Sequence, residues 1–307
     1  MENFADRLIA AIEEKGSPAC VGIDPRVELI PEEITKHSLQ RGEGGARVAS
    51  ALAFSREIIQ IVAPHVGVVK PQVAFYEALG AAGMMAYAET VRTARRKGLL
   101  VIGDVKRSDI GSTARAYAAS HLRELPDADE VGAFTADAVT VNPYLGSDGV
   151  EPFIEAASEE GRGVFVLVKT SNPSSAEFQD LKVDGGRELF VNVAEKVNEW
   201  GGGLVGKRGY SSVGAVVGAT YPEQARTLRA IMPRAYFLVP GYGAQGGSAK
   251  DTTACFNNDG LGAIVNSSRG IIYAWTRSPY KEQYGEKRWR EAVEAAAKDM
   301  VADLTKM

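Results

Sequence analysis

The alternation of residue types along this chain predicts a (β/α)8 TIM barrel: a single α/β domain spanning 1–307, with extra helices. Three observations carry the prediction. Eight short apolar runs alternate with amphipathic helical stretches. Each run stops at a polar residue, a proline or a glycine, which is how parallel βα units read. No break in composition marks a second domain over the 307 residues, a length that one barrel commonly reaches. An open doubly wound sheet is the other arrangement of the same alternation.

In chain order, Phe4, Leu8 and Ile12 recur every four residues before Lys15-Gly16, the pattern of an amphipathic opening helix with its stop. Ala19 to Ile23 reads as a strand closed by Asp24-Pro25. The polar stretch 26–45 is long for a βα loop and leaves room for a short helix. Ala49 to Ala63 reads as a helix, then Val66 to Val69 as a strand ending at Lys70-Pro71, where proline breaks the ladder. Glu77 to Lys97 reads as one helix capped by Gly98. Leu99 to Ile102 leads the third strand into Gly103-Asp104-Val105-Lys106-Arg107-Ser108-Asp109, and a helix follows over Ser112 to Leu125, with Ser or Thr to cap it. Strands are expected at Ala138–Val141, Val164–Val168, Ala215–Val217, Tyr236–Val239 and Gly262–Val265, with helices near Val150–Ser158 and Gly186–Trp200. Thr220-Tyr-Pro-Glu223 has the form of a capping box. Trp289, Val293, Ala296, Met300 and Leu304 stripe a closing helix. The regions 26–45 and 174–212 exceed what a barrel needs and read as insertions.

Barrel active sites lie at the C-terminal ends of the strands. Collecting those ends yields Asp24, Lys70, Asp104, Lys106, Asn142, Ser171, Thr220, the Gly241 loop and Arg269. Residues two apart on a strand share a face, so Asp104 and Lys106 point the same way. Charge at the end of an apolar strand is costly unless paired or used. Successive strand ends that alternate acid and base therefore suggest one charged mouth.

Opposite it, Gly241-Tyr-Gly243-Ala-Gln245-Gly246 contains G-x-G-x-x-G after a strand. The dinucleotide context fails, because the following strand ends in Asn266-Ser-Ser-Arg269 and not in an acid that would hold a ribose. A glycine-rich turn followed by Ser268-Arg269-Gly270 instead suits the phosphate site after barrel strands seven and eight.

Composition narrows the functional classes. The net charge of -4 argues against a general nucleic-acid binder. No run approaches the ~18 apolar residues of a membrane span, and the acidic N-terminus has no long apolar core like that of a signal peptide. Two lone cysteines suggest a reducing compartment, the cytoplasm. No Cys, His and carboxylate set has metal spacing, and His37, His65 and His121 have no clear place at the mouth. Acid–base work therefore falls to lysine, whose pKa neighbours tune.

These residues together resemble the orotidine 5'-phosphate decarboxylases. The matching elements are Gly22-Ile-Asp24, Lys70-Pro-Gln-Val-Ala-Phe-Tyr-Glu77, Asp104-Val-Lys106-Arg-Ser-Asp109-Ile110, Ser171, Pro240-Gly-Tyr-Gly-Ala-Gln245 and Ser268-Arg269-Gly270, in the family's order. The Lys-Pro-Gln and Lys-Thr-Ser-Asn-Pro-Ser stretches look like its longer bacterial branch. The resemblance implies that Lys106 protonates C6 of the pyrimidine as carbon dioxide leaves. It also implies that Lys70, Asp104 and Asp109 complete an alternating charge network, with Asp109 reaching into a neighbouring subunit's site. Asp24 and Lys70 would hold ribose hydroxyls, assisted by Thr113 of the partner subunit, with Ile110 in the same substrate-contacting run. Ser171 would contact the ring, Pro240 pack on it, and Gln245 with Arg269 hold the phosphate. A nucleotide substrate, no cofactor, no metal and a homodimer with shared sites are the further implications. A segment over Ser174 to Asp184 would help close over substrate.

Two rivals stand beside this. A magnesium-dependent phosphosugar decarboxylase or synthase of the same superfamily shares Asp-x-Lys-x-x-Asp, but places a metal-binding carboxylate where Lys70 stands here. The other is a barrel that binds a nucleotide without catalysis.

Overall fold

In the computed structural model, which describes residues 1–39, 45–124, 134–243 and 248–306, eight parallel strands close on themselves. They are β1 (Ala19–Ile23), β2 (Val68–Pro71), β3 (Leu100–Arg107), β4 (Ala138–Val141), β5 (Gly163–Lys169), β6 (Ser211–Val217), β7 (Ala235–Val239) and β8 (Ala263–Ser267). Each pairs with the next in sequence, and β8 pairs with β1 to shut the cylinder. The expected barrel is therefore the observed one, and the open sheet is excluded.

Helices alternate with the strands on the outside. In order they are α1 (Phe4–Lys15), α2 (Glu32–Leu39), α3 (Ala46–Val62), α4 (Ala74–Glu77), α5 (Gly80–Arg96), α6 (Gly111–Leu122), α7 (Ser147–Glu160), α8 (Leu189–Gly201), α9 (Pro222–Ile231), α10 (Ala249–Thr252), α11 (Arg269–Ile272), α12 (Tyr280–Gln283) and α13 (Trp289–Leu304).

Several boundaries differ from expectation, each for a local reason. The ladder runs through Pro71, which pairs with Ile23, and resumes with the Gln72 amide donating to the Ile23 carbonyl; proline at a strand end forfeits only its own donor. The helix read over 77–97 is two, α4 and α5, parted at Ala78-Leu79 before Gly80 at φ +72°. Neither Ser112 nor Thr113 caps α6, which begins at Gly111 behind an extended Ile110. Thr220 is no cap either: Pro222 opens α9 at its first position, so Glu223 lies one residue too early for a capping box. The insertion read over 174–212 shrinks, since 189–201 is the β5–β6 crossover helix and β6 already begins at Ser211.

The inside of the barrel is filled in layers. Cys20, Val68, Ile102, Ala138, Phe165, Val216, Leu238 and Ile264 form one apolar cluster with Phe4, Leu8, Ile9 and Ile12 of α1. Helix α1 thus seals the end where the strands begin. Phe4 meets Phe165 edge-on at 6.0 Å. Asn3 caps the helix by accepting from the Ala5 amide at 2.8 Å.

Two residues further along each strand, near or just past the strand ends, stand Gly22, Lys70, Asp104, Thr140, Leu167, Gly218, Pro240 and Asn266. The period of two that buries one apolar rung therefore presents the next rung, at the far end, as chemistry. Outside, Phe54 of α3 stacks on Tyr273 at 5.4 Å, both pack with Trp275, and Phe54 and Trp275 pack with Trp289. The buried Tyr273 hydroxyl accepts from the Arg26 amide at 2.6 Å and donates to the Asp24 carbonyl at 3.0 Å. The aromatic cluster thereby fixes the end of β1.

Candidate active site

At the end of β3 the ladder bulges: Gly103 pairs with Val139, whereas Arg107 pairs with Val141. Four residues span what two span on β4, and Lys106 takes φ +43°, the one positive φ among the described non-glycine residues. Such conformations cost of order 1–3 kcal/mol and cluster at functional sites. The bulge holds Asp104 inward and brings the Lys106 ammonium back onto its Oδ1. Simple alternation anticipated the meeting of Asp104 and Lys106, but not the strained turn that produces it.

Asp104 is the hub. Its Oδ2 accepts from Lys70 Nζ at 2.6 Å and Gln72 Nε2 at 3.0 Å; its Oδ1 accepts from Lys106 and from the Thr140 hydroxyl at 2.9 Å. The Lys106 amide donates to that same Thr140 oxygen at 3.0 Å. Burial alone would push the Asp104 carboxyl up, but the Lys70 and Lys106 ammoniums outweigh it and hold it well below the usual carboxylate range. Burial would likewise push Lys70 down, yet Asp104 and Asp24 outweigh it and keep the ammonium charged. Lys70 and Asp104 are both nearly enclosed, while almost half of the Lys106 side chain is exposed. One lysine is structural to the pair, and the other faces the opening.

Two adjoining cavities share Lys70, Asp104 and Pro240. The larger, about 440 Å3, is lined by Lys106, Thr140, Thr170, Ser171 and Gln179, with Leu167, Val216 and Leu238 as its apolar floor. The other, about 280 Å3, is lined by Asp24, Arg26, Gln72, Gly241, Tyr242, Asn266, Ser268 and Arg269. Burial, only partly offset by Lys70 and the Ser268 hydroxyl, pushes Asp24 up. Its Oδ1 is buried without a hydrogen-bond partner and awaits a donor. Gly22 is required beside it, since a Cβ there would lie 1.8 Å from the Ser268 hydroxyl.

The structure thus brings Asp24, Lys70, Asp104, Lys106, Ser171, Pro240 and Arg269 to one mouth. Gln245 lies outside the described residues. Asp109, Ile110 and Thr113 line neither cavity; the Asp109 carboxylate accepts from the Ile110 amide at 2.8 Å, and Ile110 and Thr113 are exposed. Asn142 turns aside, its Oδ1 accepting from the Tyr144 amide at 3.0 Å next to a separate apolar cavity. Thr220 lines neither cavity, its hydroxyl buried without a partner.

Thr140, Gln72, Arg26 and Gln179 are absent from the strand-end residues that the sequence singles out. Gln72 stands in the Lys-Pro-Gln stretch and Arg26 directly follows Asp24-Pro25, so both carry a positional signal. Thr140, inside Ala-Val-Thr-Val, carries none. Among the described residues no three His, Cys, Asp or Glu side chains converge on a common point. At the mouth both Asp104 oxygens are already engaged by ammoniums, a donor set that does not fit a divalent cation.

The sequence matches the Orotidine 5'-phosphate decarboxylase / HUMPS family over residues 18–279. It is 48% identical over 305 residues to a protein of Rhodopirellula baltica named orotidine 5'-phosphate decarboxylase, with 99% of each chain covered. It is 44% identical over 304 residues to the protein of that name from Caldicellulosiruptor bescii, covering 96% of this chain and 99% of that one. The solved structure of Leishmania donovani OMP decarboxylase superposes with a TM-score of 0.74 at 31% identity, covering 99% of this chain and 98% of the other.

Proposed function

Since the chain belongs to the Orotidine 5'-phosphate decarboxylase / HUMPS family, we infer from its own site how the residues divide the work. The reaction is the decarboxylation of orotidine 5'-phosphate to uridine 5'-phosphate and carbon dioxide. The single observation that carries our reading is the Asp104 carboxylate held between the Lys70 and Lys106 ammoniums at the end of the barrel.

In that reading the pyrimidine occupies the larger cavity, with Ser171 at its edge and Pro240 against its face. Asp24 and Lys70 take the ribose hydroxyls, which is where the partnerless Asp24 oxygen supports the assignment. Arg269 takes the phosphate, a role the family resemblance also gives to Gln245. When the C6–carboxylate bond breaks, its electron pair stays on C6 as an sp2 carbanion that the ring cannot delocalise well. The Lys106 ammonium, fixed beside that carbon by Asp104 and by its own strained backbone, stabilises the growing charge and delivers its proton to C6. Carbon dioxide departs, and the neutral amine regains a proton from solvent. Lys70 keeps Asp104 ionised, so that the carboxylate holds the Lys106 ammonium in place until the transfer. Binding energy from the phosphate, remote from C6, orders the site.

We read the working unit as a homodimer with shared sites, in the cytoplasm. The reading is supported by Asp109 and Thr113 standing outside their own chain's cavities. It is also supported by exposed apolar side chains, Ile110 at 53%, Tyr144 at 80% and Phe178 at 62%, of which Tyr144 and Phe178 line one cavity. No described helix is long and apolar enough to cross a membrane.

Incubation of purified protein with orotidine 5'-phosphate, followed by loss of the substrate's ultraviolet absorbance, tests the reaction. Lys106→Ala is expected to cut turnover by about 10³-fold or more while uridine 5'-phosphate still binds, in line with loss of both a proton donor and a preorganised charge. Undiminished turnover in that variant would remove Lys106 from its role. Activity abolished by a chelator would favour the metal-dependent reading instead.

A further inference from the structure

Beyond the residues that line the mouth, a fully buried lysine has no part in the mechanism above. Lys169, the last residue of β5, is completely buried. Its ammonium pairs with Asp180 at 2.5 Å and reaches the Ser175 hydroxyl at 3.4 Å. The rings of Tyr221 and Phe190 lie 4.7 and 5.7 Å away. A buried lysine costs several kcal/mol unless paired, so its retention calls for a reason.

The segment it pins supplies one. After Lys169 the chain leaves the barrel, makes a short turn at Pro173–Glu177 and returns to α8. Next to Asp180, Gln179 folds back onto the start of this excursion. Its Oε1 accepts from the Thr170 amide at 3.0 Å, and its Nε2 donates to the Thr170 hydroxyl at 2.8 Å. That hydroxyl in turn donates to Asn172 Oδ1 at 2.6 Å. Thr170, Ser171, Asn172 and Gln179 all line the larger cavity, as does Lys106. From below, Gly218 approaches so closely that a Cβ there would come within 3.0 Å of Ser171.

We propose that Lys169 and Asp180 are positioning residues: their buried ion pair anchors the 170–181 excursion so that the Thr170–Gln179 latch presents Ser171 and its neighbours to the pyrimidine half of the substrate. The proposal rests on the reading of the cavities given above. The pair acts on the pyrimidine side alone, because neither residue nor its segment lines the cavity of Asp24 and Arg269.

The test uses the full chain carrying Lys169→Met and Asp180→Asn together, which removes both charges and leaves none stranded. Three quantities are measured beside wild type: kcat/KM for orotidine 5'-phosphate, and the dissociation constants of uridine 5'-phosphate and of ribose 5-phosphate. Expected are a loss of tenfold or more in kcat/KM and in affinity for uridine 5'-phosphate, with ribose 5-phosphate binding within twofold of wild type. Equal losses for both ligands, as from general loosening, would overturn the proposal, and so would an unchanged kcat/KM. Gln179→Ala, which spares the buried pair, carries the same test if the double variant does not fold. The same selective loss is expected there, and its absence counts against the latch. A wild-type protein that fails to decarboxylate orotidine 5'-phosphate would instead bring down the reading of the reaction itself.

Discussion

Asp104 shows how much of this site hangs on single atoms. Its two oxygens take four hydrogen bonds, and one donor, the Thr140 hydroxyl, also receives the Lys106 amide. Thr140→Val keeps the shape but leaves that amide unanswered and one carboxylate bond unmade. We expect a stability loss of about 1–3 kcal/mol by chemical denaturation, with a fall in kcat larger than any rise in KM. His121 bears on stability through its charge. Burial at the end of α6 pushes its pKa down to about 3, and its Nδ1 has no partner. Between about pH 6.5 and 3 the unfolded chain holds a proton there that the folded chain refuses. The contribution is therefore intact above pH 6.5 and lost as pH falls, at up to about 1.4 kcal/mol per pH unit. His121→Asn should flatten the acid limb of the stability curve by that slope, whatever it does to stability at pH 7. At this scale Asp104, Lys106, Lys70, Asp24 and Arg269 were legible, because an ionic group at the end of an apolar run is costly to bury without a partner or a task. Thr140 was not, because threonine in a strand reads as an ordinary β-former. Lys169 directly follows the fifth apolar run, and no sequence pattern reveals that it is enclosed by a partner eleven residues on.

Among the elements, those set by period were legible to within a few residues, as for α1 and the eight strands. Those set by a conflict were not. Pro222 overrode the capping pattern of Thr220, and Gly80 split a continuous helical pattern. The β3 bulge followed from contacts across the barrel that no local window contains. Two elements meet at Gly22, where β1 passes the Ser268 hydroxyl. Gly22→Ala must push Ser268 and with it Arg269 away. We expect about 1–3 kcal/mol of destabilisation from overpacking, together with a rise in KM for the phosphorylated substrate, measured by steady-state kinetics. At the other end of the barrel, Phe4→Ala should cost about 3–5 kcal/mol by emptying the plug against Phe165. Thermal unfolding would show it as a lower Tm, with little effect on kcat in the protein that remains folded.

For the molecule as a whole, the question is whether one chain completes a site. Lys106→Ala and Asp109→Ala chains, each inactive alone, are expected to recover activity when unfolded and refolded together. If subunits pair at random, half the dimers are mixed and each holds one intact site, so about a quarter of wild-type activity should return. No recovery would mean that each barrel works with its own Asp109. The run from Asp109 to Thr113 was legible as a motif, but the barrel alone places these residues outside both cavities, and the refolding experiment decides whether a partner's site uses them.

The plug formed by α1 settles the traffic as well as the stability. Phe4, Leu8 and Ile9 close the cylinder beneath a layer of Val68, Ile102, Phe165 and Leu238, so the site is a cup sealed from below. In the proposed mechanism, carbon dioxide set free beside Lys106 would find side chains packed beneath it and would leave upward. With the pyrimidine in the larger cavity as proposed, Thr170, Ser171 and Gln179, which line that cavity, would both orient the nucleotide and border the exit of the gas.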